Sequence, residues 1–78
     1  MLIISNVKSD GVYNLEHISH MSTQKLIAAD GETIYSISLR DVSKQINLIG
    51  EWKTQEDAEK ALDLIIRANH EGHREVFL

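Results

Sequence analysis

The sequence predicts an α+β domain: an antiparallel meander of four to five strands with one C-terminal helix packed on one face. Three observations carry this prediction. Apolar and polar residues alternate with period two over parts of residues 1–52, as half-buried strands require. From Thr54 onward the apolar spacing switches to the helical period. Between the segments lie only short turn signals, which demand antiparallel neighbours, because a parallel crossover needs about a dozen residues or more.

The elements follow in order. Leu2–Val7 opens as a strand, and Ser9-Asp10-Gly11 is a turn candidate before a second strand at Val12–Ile18. Asp30-Gly31 stands between Leu26-Ile27-Ala28-Ala29 and Thr33-Ile34-Tyr35, the strongest short hairpin signal in the chain. Tyr35, Ile37 and Leu39 then alternate with Ser36, Ser38 and Arg40. Asp41-Val42-Ser43-Lys44 can turn the chain into a last strand, where Ile46, Leu48 and Trp52 alternate with Gln45, Asn47 and Glu51, with Ile49 as the exception. Gly50, near that strand's end, can relieve crowding where the chain turns back.

The helix is predicted over about 55–71. Thr54 followed by Asp57 fits the capping pattern in which a hydroxyl accepts from an unpaired backbone N–H. Glu56 and Asp57 put negative charge on the first turn, where the helix dipole favours it. Ala58, Ala61, Leu62, Ile65 and Asn69 fall on one stripe, widened by Leu64 and Ala68, and Gly72 suits the left-handed residue that closes a helix. A more curved version of the same elements would be a half-barrel closed by the helix, resembling the pleckstrin-homology shape.

The 78 residues make a single domain, 1–78, near the lower limit for one self-sufficient core. Tyr13, Tyr35, Trp52 and Phe77 are the only aromatic residues, so Leu, Ile, Val and Ala must fill most of that core. With no cysteine, neither a disulfide nor a thiolate metal site can staple it. Self-association, most simply as a homodimer, is the expected remedy. A net charge of −4, with the eight basic residues scattered singly, sets the chain against phosphate-backbone binding. Leu2-Ile3-Ile4 is too short for a signal sequence, and no stretch approaches the ~20 apolar residues of a membrane span. A cytoplasmic protein is the expectation.

Several segments together carry a resemblance: Leu2-Ile3-Ile4-Ser5, Tyr13-Asn14-Leu15, Ile49-Gly50-Glu51-Trp52 running into Thr54–Ile66, and the closing Val76-Phe77-Leu78. Nearly the whole chain resembles a loose group of small uncharacterised proteins from Gram-positive bacteria and their phages or prophages. The resemblance implies a phage or mobile-element setting and a cytoplasmic location. Its motifs are structural, so no catalytic or binding residue travels with it.

Candidate chemistry starts with the histidines, which form two H-x-x-H pairs, His17/His20 and His70/His73. A metal site needs imidazoles converging on one ion. On a strand, however, His17 and His20 point to opposite faces, and Gly72 ends the helix before His73. No metal site and no cofactor is therefore expected, and His70 is placed to interact with the helix C-terminus instead. None of the seven serines sits in a nucleophile elbow, and the four glycines are isolated at 11, 31, 50 and 72, which leaves no phosphate-binding loop. Asp30-Gly31-Glu32 lacks the further oxygen ligands of a calcium loop. Glu51, Glu56, Asp57 and Glu59 gather at the helix start, where capping and the dipole account for them.

No catalytic residue is assigned, and no enzymatic activity is expected. Trp52 is a core candidate by its period with Ile46 and Leu48, and an interface candidate by its residue type. The apolar segment Glu75-Val76-Phe77-Leu78 raises the same choice, so Val76, Phe77 and Leu78 join Trp52 as possible interface residues. The functional expectation is a small protein-interaction module. The alternatives are a nucleic-acid accessory protein, which the charge opposes, and histidine-based metal binding.

Overall fold

The computed structural model describes residues 1–78. In chain order the elements are β1 (Leu2–Ile4), β2 (Val12–Asn14), β3 (Ile18–Ile27), β4 (Thr33–Asp41), β5 (Ile46–Trp52), α1 (Gln55–His70) and β6 (Glu75–Phe77). The domain is α+β with its helix near the C-terminus, as expected. The strands, however, form two three-stranded sheets, ordered β2-β1-β6 and β3-β4-β5, rather than one meander, and neither closes into a barrel. No helix is long and apolar enough to cross a membrane.

Two local causes divide the meander. The predicted strand Val12–Ile18 is interrupted at Leu15–His17 by a single helical turn, which Asn14 caps by accepting a 3.0 Å hydrogen bond from the Glu16 N–H. That turn sends β2 and β3 into different sheets. At the far end of the chain, Glu75–Phe77 pairs in parallel with β1, Ile3 facing Val76. The short-connection rule governs successive strands only; residues 5–74 separate β1 from β6, ample chain for a parallel pair.

The core lies between the sheets and the helix, where Ile3, Ile37, Leu39, Ile49, Ala61, Ile65, Ala68 and Val76 form one buried cluster. Both long hairpins turn as the sequence suggests. Gly31, at φ +85°, donates to the Ala28 carbonyl at 2.9 Å, and Asp30 accepts from the Glu32 N–H at 2.9 Å. Between β4 and β5 the left-handed position is filled by Lys44, at φ +71°. The Asp41 carboxylate holds that turn, accepting from the Ser43 hydroxyl at 2.6 Å, the Ser43 N–H at 2.9 Å and the Gln45 N–H at 2.9 Å.

Strand β5 corrects the predicted phase. Gly50 and Glu51 together oppose the single residue Ser36, because Tyr35 faces Trp52 while Ile37 faces Ile49. This is a β-bulge, with Gly50 at φ +74° supplying the conformation that other residues avoid. Ile49 is the core residue of the strand, whereas Ile46 is 55% and Leu48 40% exposed on the opposite face. The extra residue then returns Trp52 to the side of Ile49, not of Ile46 and Leu48.

The helix begins where predicted. Thr54 Oγ1 accepts from the Asp57 N–H at 3.1 Å. The last helical residue is His70; beyond it the Gly72 N–H donates to Asn69 at 3.1 Å and the His73 N–H to Ala68 at 3.0 Å, the paired bonds of a glycine-terminated helix end. The buried stripe is Ala58, Ala61, Ile65 and Ala68. It is rotated from the predicted one: Leu62 is half-buried and Asn69 exposed, because Ala68 takes the core position at the helix end.

Candidate functional site

All four histidines are exposed. His17 lies in the helical turn before β3, His20 on β3 opposite Arg40, His70 at the end of α1 and His73 past its glycine cap. His73 Nε2 lies 3.0 Å from Glu71 Oε2 on the surface. No group of three or more His, Asp or Glu side chains is disposed to hold an ion.

The densest polar arrangement is elsewhere, where the β1–β2 connection meets the β5 bulge. Bulging leaves the backbone of Gly50 and Glu51 out of the β4 ladder, and these groups need other partners. Asp10 Oδ2 accepts from the Gly50 N–H at 2.7 Å and from the Ser5 hydroxyl at 2.6 Å. The Asn6 side chain stands in for a neighbouring strand, accepting from the Glu51 N–H at 2.9 Å and donating to its carbonyl at 3.0 Å. Ser36, buried, donates to the Gly50 carbonyl at 2.8 Å. No buried side-chain nitrogen or oxygen is left without a partner. This arrangement joins the two sheets and seals one end of the β5 edge. By sequence pattern alone Ser5 and Asn6 fall in the opening strand and Asp10 in a turn. The available signal was Gly50 inside a strand pattern, which marks a bulge and hence backbone groups in need of partners.

The four interface candidates separate. Val76 is 5% exposed and belongs to the domain's own core, against Ile3. Leu78 is half-buried against that core, its N–H donating to the Ile4 carbonyl at 2.9 Å. Trp52 is half-buried and packs on the same cluster. Phe77 alone is largely exposed, at 65%. In register it faces Ile4, which faces Val12 on its other side, so the three make one row across the outer face of the β2-β1-β6 sheet.

The surface hollows are open ones. One, of about 230 Å³, lies between the start of β3 and α1 and is lined by Ile18, Ser19, His20, Met21, Leu62 and Ile66. Another, of about 440 Å³, runs beside β6 between Leu64 and Phe77. Compared with protein-family models, curated proteins and solved structures, the chain matches none.

Proposed function

We propose that this chain is a non-enzymatic protein-interaction module that docks an apolar surface of a partner protein on the outer face of the β2-β1-β6 sheet. One observation carries the reading: Val12, Ile4 and Phe77 stand side by side in register, with Val12 57% and Phe77 65% exposed. An outward-facing strand position accepts a polar residue at little cost, yet three successive strands place an apolar one there. A largely exposed phenylalanine at the end of a row of aliphatic side chains fits an interface, where aromatic residues are enriched. The net charge of −4 supports a protein partner over a nucleic acid.

The test is affinity capture from the source cells with the intact chain and with Phe77→Glu, proteins being identified by mass spectrometry. The reading expects a protein retained by the former and lost by the latter, both baits being folded by circular dichroism. Identical sets on the two baits would overturn it.

A further inference from the structure

The two sheets have four edges, and three are short or sealed. β2 and β6 are three residues each, and β5, of seven residues, is sealed at its bulged end by Asn6 and Asp10. The fourth edge, β3, is different. It is ten residues long, about 33 Å at the usual rise per residue and so close to the molecule's longest dimension of 38 Å. After a register shift at Ser19 it runs in unbroken register with β4, from His20 facing Arg40 to Ile27 facing Thr33. The N–H and C=O groups on its free side have no partner within the chain.

We propose that β3 is a self-pairing edge, through which two copies of this chain join antiparallel into one six-stranded sheet about a two-fold axis. The free backbone groups call for a strand as occupant, and charge points to a second copy. Although the chain carries a net charge of −4, no acidic residue occurs from His17 through Ala29, so two copies approach here without carboxylate repulsion. The only lysine on the strand, Lys25, meets no like charge, because an axis at Thr23 sets it opposite Met21. Residues opposed across antiparallel strands share a face, so an axis perpendicular to the sheet passes at a residue. Thr23 is the residue nearest the middle of both the strand and its regular stretch. Thr23 then meets its own copy, Ser22 meets Gln24, and Lys25 meets Met21.

The helix side adds a second, independent reason. Leu62 and Ile66 of α1 form one wall of the hollow whose other wall is Ile18–Met21 of β3, and Ile66 is 53% exposed there. The two-fold axis puts both helices on the same face of the joined sheet, and the pairing centred on Thr23 lays Lys25–Ala28 of the second copy, including its 66% exposed Ile27, alongside this apolar flank. The surface is separate from the Val12–Ile4–Phe77 row, and the two can fail separately.

Analytical ultracentrifugation of the intact chain up to millimolar concentration tests the pairing together with two variants. Ser22→Lys/Gln24→Lys opposes like charges twice across the axis and is expected to weaken association by roughly tenfold or more; Ser22→Lys/Gln24→Glu opposes unlike charges and is expected to retain the dimer. Phe77→Glu is expected to leave it unchanged. A monomeric intact chain, or a dimer that the two-lysine variant leaves intact, overturns the proposal. A dimer abolished by Phe77→Glu overturns it too, by placing self-association on the apolar row. If either lysine variant fails to fold, hydrogen exchange of the intact chain decides. Slower exchange in residues 20–27 at high than at low concentration supports the pairing; concentration-independent exchange overturns it.

Discussion

The ring of Trp52 occupies the space that a Cβ on Gly50 would need. The glycine is therefore required twice, for its φ of +74° and for the aromatic ring lying against it. Gly50→Ala is expected to destabilise the domain by about 2–5 kcal/mol, combining left-handed backbone strain with overpacking. A cycle with Trp52→Leu checks the assignment by urea unfolding. The smaller side chain should recover the overpacking share and leave the backbone share. Strict additivity of the two substitutions would show that the ring does not constrain Gly50.

Thr54 contributes through one hydrogen bond to the first turn of α1. Replacing it by alanine should cost about 1 kcal/mol, the usual loss for an N-cap oxygen. Thr54→Ser, which keeps that oxygen, should melt near the unaltered protein. Equal losses in both variants would put the effect of Thr54 somewhere other than its hydroxyl.

Ile65 and Leu62 differ although both lie on the apolar side of the helix. Ile65 is fully buried, whereas Leu62 is half-buried beside the hollow next to β3. Ile65→Ala is expected to cost roughly 2–5 kcal/mol and Leu62→Ala clearly less, since a half-exposed site leaves no closed cavity behind. The order of the two unfolding midpoints decides it, and a reversed order would mean that the helix is rotated about its axis.

What was legible in the sequence was local. Thr54, Asp57 and Gly72 mark the helix ends because caps act within a few residues, and Asp30-Gly31 and Asp41–Lys44 mark hairpins for the same reason. Alternation alone gives the wrong phase for β5, because one inserted residue at Gly50 inverts it, and Ile49 stands out as an exception although it is the core residue. The pairing of β6 with β1 joins residues at opposite ends of the chain, and alternation carries no information about such a partner. The Asp10 and Asn6 contacts to Gly50 and Glu51 were hidden likewise. Each spans at least forty residues and connects a side chain to a backbone group at the bulged end of an edge strand. Val76 could be placed in the core only once its parallel partner Ile3 was known.

Acid should loosen the β4–β5 turn. The Ser43 hydroxyl, with the backbone N–H groups of Gln45 and Ser43 and the charge of His17, holds the Asp41 carboxyl below the usual carboxylate range, outweighing the opposing effect of desolvation. A carboxyl depressed in the folded state stabilises above its unfolded value, and that contribution disappears as pH falls through the lower folded value. Asp41→Asn removes the titrating group but keeps an acceptor oxygen. The gap in melting temperature between the two proteins should therefore be widest near neutrality and narrow in acid. A gap independent of pH would show that the charge on Asp41 does not support the turn.

Val76 and Phe77 are neighbours on β6 with opposite duties. Val76 is buried against Ile3, and its strand is held by the Leu2 N–H donating to the Arg74 carbonyl at 2.9 Å and the Leu78 N–H to the Ile4 carbonyl at 2.9 Å. Phe77, one residue on, faces outward and is 65% exposed. Val76→Ala is expected to cost about 1–3 kcal/mol, from lost burial and the small cavity left behind. Phe77→Ser should stay within about 0.5 kcal/mol of the unaltered chain, as surface substitutions do. Deleting Val76–Leu78 removes the buried side chain together with the parallel ladder, a loss comparable with the ~5 kcal/mol at the low end of stability for such domains, so that chain should not fold cooperatively. Thermal and urea unfolding of all three check this. If Phe77→Ser destabilised the domain as much as Val76→Ala, both side chains would serve the core, and the apolar row would be part of the fold instead of a surface offered to a partner.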